Sequence, residues 1–93
     1  MDNAKISYQE KVKSLRGIHE YSYKDLFTAV EKDRRNKEAL YRLAYWLEQY
    51  DNYNGEFYSV TDPTTNRRVY DLYPVWEEVE EGEFDIVDWE IRW

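Results

Sequence analysis

The sequence predicts an α+β fold, with two to three N-terminal helices packed on a C-terminal three-stranded antiparallel sheet. Three groups of apolar residues in the first half recur at helical spacing, whereas the segment from Val69 to Trp93 alternates apolar and polar residues. A chain of 93 residues can bury one core but is too short for two domains. We therefore expect a single domain over residues 1–93, with a helical half at 1–50 and an acidic β half at 56–93.

Two helix starts carry capping signals. Ser7 with Glu10 three residues later fits a capping box, and Ser22 with Asp25 repeats that spacing. The first helix should be short, because Gly17 interrupts its apolar face. The second should have a buried face that begins with Leu26, Phe27 and Val30.

The third helix is predicted from Lys37 to Tyr50. No residue from Glu31 to Glu38 is apolar, and one helix from Tyr23 to Tyr50 would be about 42 Å long. Such a rod would protrude from a domain whose radius of gyration should be about 12 Å, so we expect a break near Asp33 to Asn36. The core-facing positions of the third helix are Leu40, Leu43, Ala44, Leu47 and Tyr50.

Three β-rich runs in the second half predict a meander. The turn-forming residues 51–55 end the third helix, and a strand from Phe57 to Thr61 follows. Residues 62–66 then lead into a strand from Val69 to Trp76. The period-two series of the last strand comprises Val87, Trp89, Ile91 and Trp93.

A hairpin should connect the last two strands. Residues 80–83 supply turn chemistry, since Gly82 adopts a positive φ without strain. Pro74 cannot donate a ladder hydrogen bond, so it predicts a sheet edge or a bulge.

Charge divides the chain. The net charge is −7, but residues 1–50 hold ten Lys and Arg against eight Asp and Glu, and residues 51–93 hold three against twelve. Charge of this kind bears on partners rather than on fold. The chain has no Cys, no signal-peptide pattern at its start and no apolar run of membrane-spanning length. These features predict a cytoplasmic protein without a membrane partner.

No motif in the sequence indicates catalysis. His19 is the only histidine. Residues 51–55 resemble the start of a calcium-binding loop, but Tyr53 stands at the third position, which needs an oxygen ligand, and Gly55 is fifth where the loop needs Gly at the sixth position. The three glycines are too far apart for a phosphate loop, and the clustered acids are more typical of a solvated turn than of a substrate cleft. We therefore expect no enzyme activity, no metal site and no cofactor.

The charge pattern also argues against nucleic acid as a direct ligand. Three helices followed by a hairpin match a winged helix-turn-helix in outline, but that mode of binding needs basic residues against the phosphates. The hairpin here would be strongly negative, and Arg34, Arg35 and Lys37 form only a small basic cluster.

The acidic hairpin points instead to a basic protein partner. Carboxylates on one face of a strand repeat every ~6.6 Å, and acids on both strands would approach the charge density of one DNA strand, one charge per about 3.4 Å. The alternative is that these acids only keep an aromatic-rich domain in solution. The predicted partner-binding residues are Glu77, Glu78, Glu80, Glu81, Glu83, Asp85, Asp88 and Glu90, with Tyr73 and Trp76 as aromatic anchors.

In size, charge and lack of Cys, with its acidic run from Glu77 to Asp85, the chain resembles small inhibitors encoded by phages and mobile elements. These include anti-CRISPR proteins and DNA-mimic anti-restriction proteins. The resemblance implies a protein that works in the host cytoplasm and occupies the DNA-binding groove of an RNA-guided nuclease. The near-neutral first half departs from the pattern of full DNA mimics.

Two functions follow as hypotheses. The first is a non-enzymatic inhibitor whose acidic hairpin binds the basic nucleic-acid-binding surface of a protein, with a CRISPR nuclease as the favoured target. The alternative is an adaptor or antitoxin-like module that binds a protein through its helical half, using Arg34, Arg35 or exposed Tyr41 and Tyr45. The sequence leaves two oligomeric states open: a monomer, and a symmetric homodimer through a sheet edge that keeps the acidic hairpins apart.

Overall fold

The computed structural model describes residues 6–17, 20–50 and 56–93. In this part of the chain three helices precede a three-stranded antiparallel sheet, which confirms the predicted α+β arrangement. The predicted linker at residues 51–55 and His19 lie outside the described residues. The elements are α1 (Tyr8–Lys13), α2 (Tyr23–Lys32), α3 (Lys37–Tyr50), β1 (Tyr58–Thr61), β2 (Arg68–Glu80) and β3 (Glu83–Arg92).

The helix boundaries follow the local signals. The Ser7 hydroxyl accepts a hydrogen bond from the Glu10 amide, and the Ser22 hydroxyl accepts one from the Asp25 amide, so both predicted caps are confirmed. The predicted break is also confirmed: α2 ends at Lys32, and α3 begins after Asn36. The Asn36 side chain accepts a hydrogen bond from the Ala39 amide at the start of α3.

One predicted core position of α3 is wrong. Leu40, Leu43 and Leu47 are buried, but the side chain of Tyr50 is 68% exposed. Tyr50 is the last residue of α3, and its ring packs 4.9 Å from that of Trp46.

The strands form a meander in the order β1-β2-β3. β1 pairs with the first part of β2, from Thr61 opposite Arg68 to Tyr58 opposite Leu72. β2 then continues well past the end of β1 and pairs only with β3. The turn after β1 is closed by Asp62, whose amide donates to the Arg67 carbonyl at 2.9 Å. Gly82 makes the hairpin turn with a φ of 79°, as predicted.

Pro74 was predicted to lie at a sheet edge or a bulge, and the strand pairing shows its position. Pro74 lies in the central strand, but it comes after Leu72, the last residue of β2 that pairs with β1. One side of β2 therefore has no strand neighbour at Pro74 among the described residues. A register shift between Val75 and Trp76 follows immediately, which agrees with the tendency of proline to lie at edges and bulges.

The core lies between the helices and the sheet, with Trp89 near its centre. The Trp89 ring lies 5.6 Å from the rings of Tyr8 and Tyr58, at angles that favour aromatic packing. Tyr58 and Tyr70 are also buried.

Helix side chains bind the backbone of the two outer strands. At β3, Lys11 donates to the Val87 carbonyl at 2.8 Å, and Lys37 donates to the Trp89 carbonyl at 3.1 Å. At β1, the Tyr23 hydroxyl donates to the Thr61 carbonyl and accepts from the Thr61 amide. These contacts satisfy backbone groups that an outer strand would otherwise leave unpaired.

The hairpin extends beyond the helices as an arm, which we define as residues 76–86, and Ile86 at its base packs against the core. The molecule measures 48 × 27 × 23 Å, and 13 residues of β2 span about 43 Å at ~3.3 Å per residue. β2 therefore accounts for most of the long dimension. We call the remaining described residues the head.

Candidate functional site

The arm presents two chemically different faces. Residues directly opposite each other in an antiparallel pair project to the same side of the sheet. Glu77 lies opposite Asp85, and Glu80 lies opposite Glu83, while positions 83 and 85 alternate onto one side of β3. The acidic face consists of Glu77, Glu80, Glu83 and Asp85, and the aromatic face consists of Trp76, Glu78, Phe84 and Ile86.

The charges of the acidic face do not help the hairpin to form. Like charges directly opposite each other on adjacent strands are destabilising, and both opposed pairs on this face are acidic. The turn is supported instead by Glu78, whose Oε2 accepts a hydrogen bond from the Gly82 amide at 2.9 Å. The hairpin thus forms despite its acidic face, so these acids are not explained by the stability of the arm.

The acids near the tip have the greatest freedom to bind a partner. Glu80, Glu81 and Glu83 are exposed, and none of them forms an ion pair with a described residue. Glu77 and Asp85 are half-buried at the base of the same face, where Asp85 accepts a hydrogen bond from the Ile86 amide. No Lys or Arg occurs within residues 76–86, so the arm supplies no counter-charge of its own.

Two predicted partner-binding acids are engaged within the molecule. Asp88 accepts hydrogen bonds from Lys37 at 3.0 Å, from the Tyr41 hydroxyl at 2.8 Å and from the Trp89 amide. Burial disfavours the charged carboxylate, but these hydrogen bonds outweigh it, so the pKa of Asp88 lies below its ordinary value. Glu90 binds Arg92 beside it. Both acids belong to the head, away from the tip.

The two predicted aromatic anchors have different surroundings. Tyr73 is half-buried, stacks on Phe57 at 4.9 Å, and has the Arg92 guanidinium 4.2 Å from its ring centre. Trp76 is 56% exposed, and its ring contacts no aromatic ring or cation of a described residue. Trp76 is therefore the anchor that remains open to a partner.

Phe84 is a further exposed residue that the sequence reasoning missed. Its side chain is 66% exposed and lies on the same face as Trp76. The period-two alternation of β3 could have identified it, since Phe84 and Ile86 alternate with the acids Glu83 and Asp85.

The helical half offers fewer exposed residues than predicted. The expectation that Tyr41 is exposed is wrong, because it is 8% exposed and its hydroxyl is bound to Asp88. Arg34 makes a two-pronged contact with Glu31 and covers the ring of Trp93. Tyr45 is half-buried, and only Arg35 of the four is exposed without such a contact among the described residues.

A cavity of about 330 Å³ lies between α1 and α3. Its lining includes the apolar side chains of Val12 and Leu15 and the carboxylate of Glu48. Burial raises the pKa of Glu48. In the described part of the chain, no cluster of three or more His, Cys, Asp or Glu could hold a metal ion.

Comparison of the chain with protein-family models, with curated proteins and with solved structures finds no match. None of the helices in residues 6–17, 20–50 and 56–93 has the length and apolar character needed to cross a bilayer. What the protein does must therefore be inferred from the geometry and charge of the arm.

Proposed function

We propose that this protein is a non-enzymatic inhibitor whose arm binds the basic nucleic-acid-binding surface of another protein. The favoured target is an RNA-guided CRISPR nuclease. The observation that carries the proposal is the acidic face: four carboxylates on one side of a projecting two-stranded arm that contains no base.

The spacing of these carboxylates supports competition with nucleic acid. Each strand places a side chain on one face every ~6.6 Å, so two strands together offer about one charge per 3.3 Å of arm. One strand of duplex DNA carries one charge per about 3.4 Å of axis. The acidic face thus approaches the linear charge density of a DNA strand, over the short length of the arm.

Such a face would bind Arg and Lys side chains that otherwise contact phosphates. Charge-assisted hydrogen bonds between guanidinium or ammonium groups and carboxylates are short and strong. An arm seated on those side chains excludes nucleic acid from them. Because the arm would bind through charge, its affinity for the target should fall as salt concentration rises.

The direct test is DNA binding by a guide-loaded CRISPR nuclease of the same host, measured with and without this protein at several salt concentrations. We expect the wild type to reduce DNA binding most strongly at low salt. A variant with Glu77→Gln, Glu80→Gln, Glu83→Gln and Asp85→Asn should lose most of that inhibition, because its acidic face is neutral.

A matched control removes the same charge from the head through Glu10→Gln, Glu20→Gln, Asp25→Asn and Glu38→Gln, all at exposed positions. This control should still inhibit. An equal loss of inhibition in both variants would show that net charge, and not the acidic face, is responsible. If the wild type leaves DNA binding and cleavage intact, that nuclease is not the target.

A further inference from the structure

Three arginines of the head share one mode of binding. Each guanidinium forms an ion pair with a carboxylate of its own chain and also lies over an aromatic ring, at 4.1–5.1 Å from the ring centre. The planar guanidinium suits both contacts at once, since its edge donates to the carboxylate while its face stacks on the ring. These triads are Arg34 with Glu31 and Trp93, Arg42 with Glu38 and Tyr21, and Arg92 with Glu90 and Tyr73.

The aromatic face of the arm has the ring and the carboxylate of this triad but not the arginine. Trp76 and Glu78 are two residues apart on β2, and Phe84 lies directly opposite Glu78 on β3. Directly opposed side chains have Cβ atoms about 5 Å apart, and diagonal neighbours are about 7–8 Å apart. One carboxylate oxygen of Glu78 accepts a hydrogen bond from the Gly82 amide, and its other oxygen has no partner among the described residues.

We propose that the aromatic face binds arginine side chains of the partner. A guanidinium would stack on Trp76 or Phe84 and donate to Glu78, as the arginines of the head do with their own rings and carboxylates. This inference rests on the proposed function in one respect, which is that the partner surface is basic. It adds that the partner presents arginine rather than lysine at this face.

A second copy of the chain is a poorer occupant. Trp and Phe bury about 150–250 Å² each when fully covered, and Trp76 and Phe84 are 56% and 66% exposed. Covering both would bury roughly 250 Å² per molecule, whereas a stable interface needs about 800 Å² per partner. Pairing two arms would also bring together twelve carboxylates, six from each, without a base.

The test compares two peptides of equal charge, hexa-arginine and hexa-lysine, binding to the full-length protein at fixed salt. We expect the arginine peptide to bind roughly five- to thirtyfold more tightly, because two ring contacts add to the charge attraction that both peptides share. The variant with Trp76→Ala and Phe84→Ala should lose this preference, because its affinity for hexa-arginine should fall much further than its affinity for hexa-lysine.

Two control variants separate the contributions. Replacing Ile6 and Tyr50 of the head with Ala removes exposed apolar side chains and should leave the preference intact. The neutralised acidic face should bind both peptides more weakly but keep their ratio. Equal affinity of the wild type for the two peptides would overturn the inference. So would a preference that survives loss of both rings, or a parallel loss of both affinities.

The outcomes also distinguish this inference from the proposed function. A clear arginine preference with no inhibition of DNA binding would retain the aromatic face as an arginine site and reject the nuclease as target. Inhibition without any arginine preference would retain the proposed function and reject the role of the aromatic face.

Discussion

The head and the arm use the same residue types in opposite ways. In the head, carboxylates such as Asp71 and Asp88 bind Arg68 and Lys37, and aromatic rings such as Trp89 lie in the core. In the arm, the tip carboxylates form no ion pair with a described residue, and Trp76 and Phe84 face solvent. The side chains that stabilise the head are therefore largely separate from those proposed to bind a partner, whereas Glu78 both supports the turn and belongs to the aromatic face.

A substitution in the core should lower the free energy of unfolding much more than a substitution that removes a larger side chain from the arm. Leu43 is fully buried in α3, so Leu43→Ala should lower the free energy of unfolding by about 2–5 kcal/mol. Trp76→Ala removes more atoms, but from an exposed ring, and should cost about 1 kcal/mol or less. Urea denaturation followed by circular dichroism measures both. Equal losses would mean that the arm belongs to the core.

The second comparison sets an acid of the head against an acid of the arm. Asp88→Asn should lower the free energy of unfolding at pH 7 by about 1–2 kcal/mol, since it removes charge-assisted hydrogen bonds from Lys37 and Tyr41. Glu81→Gln at the exposed tip should leave it unchanged. The same urea denaturation, repeated from pH 7 to pH 2, gives the difference for each variant.

The pH dependence of that difference has a defined sign. The pKa of Asp88 is lowered in the folded protein, so its stabilising contribution is present above the unfolded-state pKa of about 3.9. It is lost as the pH falls through the folded-state pKa. Wild type and Asp88→Asn should therefore converge in stability at low pH. If the stability difference between wild type and Asp88→Asn stayed constant down to pH 2, its cause would be the changed shape of the side chain and not its charge.

The smallest expected effect concerns the tip of the arm. Gly82 has a φ of 79°, and a Cβ at this position would meet no atom within 4 Å. Gly82→Ala should thus lower stability only through backbone strain, by about 1 kcal/mol. Gly82→Asn should cost less, because asparagine tolerates positive φ better than alanine. Thermal unfolding of the two variants provides the measurement, and the opposite order would indicate that the tip takes another conformation.

Local signals in the sequence predicted much of the fold. The serine caps, the charged break between α2 and α3, and the glycine turn each depend on residues within a few positions of one another. The pattern of β3 grouped Val87 and Trp89 on one face, because alternation has a fixed period in a strand, and both residues are buried. The positions of these elements needed no knowledge of distant contacts.

The candidate site was harder to predict, since it depends on contacts between distant parts of the chain. The role of Asp88 follows from Lys37, 51 residues away, and sequence spacing gives no sign of that contact. The two faces of the arm depend on register shifts at Val75/Trp76 and Glu78/Glu80. A single-residue shift exchanges the faces of a strand, so Phe84 could not be paired with Glu78 from the sequence.

The contacts of Lys11, Lys37 and Tyr23 with the outer strands have a consequence for how the protein could change its target. At Val87, Trp89 and Thr61 the backbone is already bound by side chains of the same molecule, so a partner cannot add a strand there. Strand addition is left to the arm, where β2 beyond Leu72 pairs only with β3. New targets could be reached by replacing exposed residues between positions 76 and 86, while the ladder and the core stay as they are.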